Sequence, residues 1–110
     1  MDTTHTYSEE ITAAVTAWPG VSTHHGSRGE FSFTVGKREI GHLHGDRSAH
    51  FMLPRELWRE LHAAGRVDEH PVFPGREGPA ARRLESEDDV RDVISIMRVN
   101  YDRVVAKHPE

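Results

Sequence analysis

The residues best suited to chemistry lie in one short segment, residues 38–46, which reads REIGHLHGD. His42 and His44 stand two residues apart, and alternate side chains of a β-strand point to the same face. Neutral imidazole ligates metals and titrates near neutral pH, so the pair suits metal binding, acid–base catalysis or ligand binding. A hydrogen-bonded structural role fits the same pattern, and the residues alone leave these uses open.

Three other residues are candidates to complete a site with these two histidines. Glu39 and Asp46 supply nearby carboxylates, and His70 follows in a later extended segment. A divalent metal held by His42, His44, His70 and Asp46 is an alternative that the spacing does not favour, because nine histidines in 110 residues make His-x-His frequent by chance. Nucleophile-elbow and phosphate-cradling glycine motifs are absent from the sequence, so whether the chain is an enzyme stays open.

Composition narrows the class of protein. The chain has 110 residues, a net charge of −4 and no cysteine, which excludes disulfides, thiolate metal sites and cysteine nucleophiles. The acidic balance makes nucleic-acid binding an unfavoured function. No apolar run approaches a membrane span and no signal peptide is recognisable, so we expect a cytoplasmic protein without membrane contact. We expect a single domain over residues 1–110, with residues 1–7 flexible and residues 8–107 folded.

Three helices and several strands must position the candidate residues. Ser8 is the expected N-cap of a first helix that ends at Pro19-Gly20. Pro54 begins a second helix over 55–64, and Ser86 caps a long final helix with an apolar stripe. The predicted fold is α+β: an antiparallel β-meander of about four to six strands, with the long C-terminal helix packed on the sheet.

The register of the meander decides which way the histidines point. Gly36-Lys37 and Gly45-Asp46 each fit a two-residue hairpin loop. Counting from these loops places Phe33 opposite Ile40, Phe31 opposite His42, and His42 opposite Ala49. His42 and His44 then lie on the buried face, while Glu39 and His50 point to the other face. One extra residue in either loop would reverse the assignment.

Several segments resemble those of a known family, the luciferase domain, over roughly residues 18 to 105. The matching stretches are the Glu-x-Gly-His-x-His motif of residues 39–44, the segments 65–72 and 86–90, and Asn100-Tyr101. The resemblance implies a small domain of uncharacterised activity and points to Glu39, His42, His44 and His70 as site residues. The order of hairpins and helices is also similar to the MmcQ/YjbR-like fold, which implies a double-wing protein that binds DNA.

Three functions follow from these expectations. The favoured one is binding of a small molecule in a polar pocket of the histidines and Glu39. The alternative is a non-enzymatic interaction module, a homodimer formed through Leu43 and Met52 on the face opposite the core. The third is nucleic-acid binding through basic residues near the hairpin tips, namely Arg28, Lys37, Arg38 and Arg47.

Overall fold

An antiparallel sheet of six strands and three helices make up the fold. The computed structural model describes residues 6–108. The elements in chain order are α1 (Tyr7–Val15), β1 (Val21–His25), β2 (Phe31–Val35), β3 (Arg38–His44), β4 (Ser48–Met52), α2 (Arg55–Ala63), β5 (Asp68–Glu69), β6 (Pro79–Arg83) and α3 (Glu87–Lys107). The sheet order is β1-β2-β3-β4-β6-β5. The predicted α+β class, with an antiparallel sheet and three helices, is confirmed.

The helices and one face of the sheet share a single hydrophobic core. α3 packs against β2, β3 and β6 and also against α1. The residues that α3 buries are Val90, Val93, Ile96, Met97, Asn100, Tyr101 and Val104. Since α1, α2 and the sheet contribute to the same core cluster, the opposite face of β3 and β4 is left available for the histidines.

The helix ends partly follow the sequence-based expectations. Ser86 caps α3 as predicted, because its hydroxyl accepts the backbone N–H of Asp89. The expected cap at Ser8 is wrong: Thr6 caps α1 and forms a capping box with Glu9. Residues 1–7 are predicted to be flexible, and residues 1–5 of that segment lie outside the described part of the chain.

The β2–β3 pair contains a β-bulge at Ile40. Thr34 pairs with Glu39 and Phe33 pairs with Gly41, so Ile40 is an extra residue in β3. The first hairpin loop does hold two residues, as predicted, because Val35 pairs with Arg38. The pairings predicted beyond that point are wrong by one residue. A bulge bends its strand and reverses the face of every later side chain.

The bulge moves both motif histidines to the open face of the sheet. Leu43, not His42, pairs with Phe31, and Leu43 is only 1% exposed. The prediction that His42 and His44 lie on the buried face is therefore wrong. The dimer hypothesis also loses part of its basis, because Leu43 belongs to the core and only Met52 of its two apolar residues is exposed.

The second hairpin adds another one-residue shift. His44 pairs with Ser48, so the loop holds three residues, 45–47, where two were predicted. Gly45 has a φ of +57°, a left-handed conformation that glycine adopts without strain. His42 consequently pairs with His50, and the expectation that His50 points away from His42 is wrong.

A buried side chain on α3 holds the bulge. Asn100 is 0% exposed, and its Nδ2 donates to the carbonyl oxygen of Ile40 at 3.0 Å. Its Oδ1 accepts from the guanidinium of Arg103 at 2.8 Å. The donor and the acceptor of the buried Asn100 side-chain amide are thus both hydrogen-bonded. The carbonyl of Ile40 at the bulge receives its hydrogen bond from α3 and not from regular strand pairing.

An ion-pair network ties the start of α3 to β6 and to the chain before β5. Arg82 donates to Asp89 at 2.6 Å and to Asp92 at 2.5 Å, and Arg66 donates to Asp92 at 2.9 Å. The hydrogen bond from Arg82 is the main cause that lowers the pKa of Asp89. The network fastens β6 and the residues before β5 to α3, at the edge of the sheet where His70 follows β5.

Within residues 6–108, every helix is too short or too polar to cross a lipid bilayer.

Replacing Asn100 with Ala should lower the free energy of unfolding by about 1–3 kcal/mol, since the buried Ile40 carbonyl loses its donor. Urea denaturation measures the change. Val99→Ala, at the exposed neighbouring position, is the control and should stay within about 0.5 kcal/mol of wild type. Equal effects of the two variants would contradict the assigned role of Asn100.

Gly41→Ala should destabilise the fold by about 1–3 kcal/mol, because α3 approaches β3 closely at this position. An added Cβ would lie 2.5 Å from the sulfur of Met97 and 3.1 Å from a ring carbon of Phe51. Thermal or urea unfolding gives the cost. In a Met97→Ala background the same substitution should cost less; an unchanged cost there would show that Met97 is not the obstacle.

Candidate functional site

Four imidazoles meet on the open face of the sheet. His42 and His44 alternate along β3, and His50 lies beside them on β4. The ring centroids are 5.0 Å apart for His42 and His44, 5.2 Å for His42 and His50, and 4.4 Å for His44 and His50. His70 follows β5, and its ring centroid lies 4.3 Å from that of His50. β3 and β4 thus carry three of the imidazole rings, and the loop after β5 carries the fourth.

Glu39 orients the ring of His42. Its Oε2 lies 2.7 Å from Nδ1 of His42. An ionised carboxylate only accepts hydrogen bonds, so this contact assigns the imidazole proton to Nδ1 and leaves the lone pair of Nε2 free. The prediction that Glu39 faces away from His42 is wrong, because the bulge at Ile40 brings the two side chains to the same face.

His50 contains a nitrogen that lacks a partner. The residue is 8% exposed, and its Nδ1 is buried without a hydrogen bond to any residue in the range 6–108. A buried polar atom left unsatisfied costs about 1–3 kcal/mol. A ligand or ion that bound His50 at this nitrogen would remove that cost.

His70 and the loop that follows it form the wall of a cleft. The backbone N–H of Val72 donates to Nδ1 of His70 at 3.1 Å, which assigns the imidazole proton to Nε2. Phe73 packs against His70 with a centroid distance of 5.2 Å. Val72 is 70% exposed and Phe73 is 38% exposed, so this wall is apolar and accessible.

The cleft has a volume of about 260 Å³. Its lining residues are Arg28, Glu30, His42, His44, His50, His70, Val72 and Phe73. Hydrogen bonds from backbone N–H groups, first its own and then that of Arg28, lower the pKa of Glu30. The cleft therefore combines imidazoles with a carboxylate and a guanidinium at its rim.

Burial lowers the pKa values of three of these imidazoles, those of His44, His50 and His70. Desolvation, followed in size by the neighbouring His70, lowers the pKa of His50 to about 4. Desolvation is also the largest cause that lowers the pKa values of His44 and His70, and the proximity of His42 adds to both. A neutral imidazole offers a lone pair, which is the form that binds metals or accepts hydrogen bonds.

The structure brings Glu39, His42, His44 and His70 together, and it places Asp46 elsewhere. Asp46 accepts the backbone N–H of Ser8 at 2.8 Å, so it connects the second hairpin to α1. Hydrogen bonds from Ser8 lower the pKa of Asp46. Asp46 therefore lies outside the group of histidines that lines the cleft.

Sequence reasoning missed His50. Its neighbours Ala49 and Phe51 are core residues, so strand alternation alone places His50 on the open face. The sequence does contain a signal for the bulge that brings His42 beside His50. Ile40 and Leu43 are apolar residues three positions apart, and a regular strand cannot bury both on one face. That spacing together with Gly41 is typical of a bulge.

A larger groove of about 480 Å³ lies between α1 and the sheet. Its lining includes Thr12, Ala13, Phe31 and Leu43, with His25 as its one histidine. A ligand site typically combines apolar surface with several convergent polar groups whose pKa values are perturbed. The histidine cleft meets that description better than the larger groove does.

In the presence of EDTA, the free energy of unfolding should fall by about 1–3 kcal/mol as the pH decreases from about 6.5 to about 4 because of His50. The pKa of His50 is lower in the folded than in the unfolded chain, so the unfolded chain binds more protons in this window.

Urea titrations of wild type and His50→Gln at several pH values test this, since glutamine does not titrate. The advantage of wild type over the variant should shrink as the pH falls. His24→Gln, at an exposed position of β1, is the matched control. An advantage that is constant with pH would contradict the assignment.

Comparison with known proteins gives one match. The family model of the luciferase domain matches residues 37–100, which include β3, β4, α2 and most of α3. Searches of curated proteins and of solved structures returned no match. The matched region holds Glu39 and all four histidines of the cleft, and it covers more than half of the chain. The chain therefore belongs to the luciferase-domain family.

Proposed function

We propose that this protein binds a small molecule in the cleft formed by His42, His44, His50 and His70. The observation that carries the proposal is the convergence of four imidazoles beside an exposed apolar wall. Histidines with a purely structural role are expected to be packed and hydrogen-bonded, whereas Nδ1 of His50 has no such bond within the described chain.

The lining indicates the chemistry of the ligand. Imidazole nitrogens on the floor suit a polar head group, and Phe73 and Val72 suit an apolar or aromatic part. Glu30 at the rim and Glu39 on His42 together outweigh the positive charge of Arg28, which favours neutral or cationic head groups over anionic ones. We therefore expect an amphipathic ligand whose polar end contacts the histidines.

The size of the cleft limits the ligand. Pockets for drug-sized molecules span roughly 300–1,000 Å³. At about 260 Å³, this cleft fits a compact metabolite or the head of a longer molecule. The loop 70–76 extends the wall outward, so a longer ligand would continue along Phe73 and Arg76, whose guanidinium lies 5.5 Å from the Phe73 ring centre.

Benzyl alcohol, benzylamine and benzoate are suitable probes, since they share one ring and differ in the charge of the head group. In EDTA-treated protein with labelled histidines, millimolar benzyl alcohol or benzylamine should shift the ring signals of the cleft histidines. Benzoate should shift them less, because the carboxylates Glu30 and Glu39 repel its charge. NMR titration measures the affinities.

Phe73→Ala should weaken binding of the bound probe by about three- to tenfold, which corresponds to about 0.7–1.4 kcal/mol. Val99→Ala, which removes a similarly exposed apolar side chain from α3, is the matched control. Ring signals that stay unchanged with all three probes would overturn the proposal. So would equal affinities in the Phe73 and Val99 variants.

A further inference from the structure

We propose that His42, His44 and His50 bind one divalent transition-metal ion, with an open coordination position facing His70 and Phe73. The inference rests on the cleft proposed above and names its cofactor. Three histidines with a fourth position left to water or substrate are a common arrangement in catalytic zinc sites.

The three side chains are placed for common coordination. Each offers a ring nitrogen, and these nitrogens all lie within 4.8 Å of one another. Tetrahedral zinc with Zn–N bonds of about 2.0–2.1 Å sets its ligand nitrogens about 3.4 Å apart. A contraction of about 1.5 Å or less closes the site, and the partly exposed ring of His44 has room to turn.

The surroundings suit a cation. Glu39 binds Nδ1 of His42 and leaves Nε2 as the ligand atom, which is the carboxylate–histidine arrangement that supports many metal sites. Glu30 adds a second carboxylate at the rim of the cleft. No hydrogen bond within the described chain occupies Nδ1 of His50, so its buried ring is not committed to another partner through that nitrogen.

The donor set selects the metal. Imidazole nitrogen suits Zn²⁺, Cu²⁺, Ni²⁺ and Co²⁺, whereas Mg²⁺ and Ca²⁺ require mainly oxygen ligands. His70 does not belong to the set, because its Nδ1 accepts the N–H of Val72 and its Nε2 carries the proton. His70 is instead placed to donate a hydrogen bond to whatever occupies the open position.

Calorimetric titration of the EDTA-treated, dialysed full chain tests the site. We expect one Zn²⁺ per chain and no comparable binding of Mg²⁺. His44→Ala and His50→Asn should weaken Zn²⁺ binding by more than about a hundredfold, since losing a ligand costs more than losing an outer-shell partner. His24→Ala, an exposed histidine outside the cleft, should bind Zn²⁺ like wild type.

Circular dichroism shows whether each variant is folded. Because His50 is buried and its replacement could unfold the chain, the partly exposed His44 supplies the second, independent variant. Zn²⁺ affinity in a folded His44→Ala variant equal to that of wild type would overturn the site, as would a loss of affinity in His24→Ala of the same size.

Glu39 is a positioning residue in this scheme. Glu39→Gln keeps the shape of the side chain but removes its charge, and we expect Zn²⁺ affinity to fall by about 10- to 100-fold with unchanged stoichiometry. The visible spectrum of the Co²⁺ form should keep a four-coordinate signature. An unchanged affinity would overturn the role of Glu39.

The open position has its own test. Azide should change the Co²⁺ spectrum by occupying the fourth site, and His70→Ala should retain one metal per chain but weaken azide binding. A Co²⁺ spectrum that does not change when azide is added would overturn the open position.

Probe binding to the EDTA-treated protein without any Zn²⁺ binding would overturn the metal site alone. Zn²⁺ binding without binding of any benzyl probe would uphold the metal site and overturn the small-molecule proposal.

Discussion

The hydrogen bond from Asn100 to the carbonyl of Ile40 is the interaction on which the histidine cleft depends. It joins α3, which packs across the sheet, to the bulge of β3. Because Ile40 is an extra residue, Glu39 and His42 come to the same face, and Leu43 enters the core in place of a histidine. A regular strand of the same composition would bury two imidazoles and expose a leucine. The chemistry of the open face is therefore a consequence of packing on the other face.

The overall fold could be predicted from the sequence because its signals are local. Each of these signals depends on a few neighbouring residues. The apolar spacing and the cap at Ser86 predict α3, the alternation predicts β2, and both elements are confirmed. The face of the histidines depends instead on counting residues across two turns, where an error of one reverses the outcome. The two errors, at Ile40 and in the loop 45–47, cancel in β4. The core positions of Ala49 and Phe51 and the open-face position of His50 are therefore predicted correctly, while the faces of His42 and His44 are not.

The candidate site could be predicted in part for a related reason. Residue types and spacing identified His42, His44, Glu39 and His70, which the structure gathers on one face. Asp46 adjoins them in sequence, but a three-residue turn directs it to the N–H of Ser8. His50 lies between two core residues, and only the cross-strand register reveals that it pairs with His42. Adjacency along the chain is a poor guide where a hairpin turns, and pairing between strands cannot be read from either strand alone.

The floor of the cleft lies on strands and its wall lies on a loop, and this difference matters for what a substitution in each part would change. His42, His44 and His50 are held by the central strands, whose other face is occupied by the core. Val72, Phe73 and Arg76 belong to a loop that is largely exposed and contributes no residue to that core. Substitutions in this loop can therefore change the shape of the cleft without disturbing the strands below. If the cleft binds a small molecule as proposed, a segment of fewer than ten residues would set which ligand fits, while the strands would set the imidazoles that it meets.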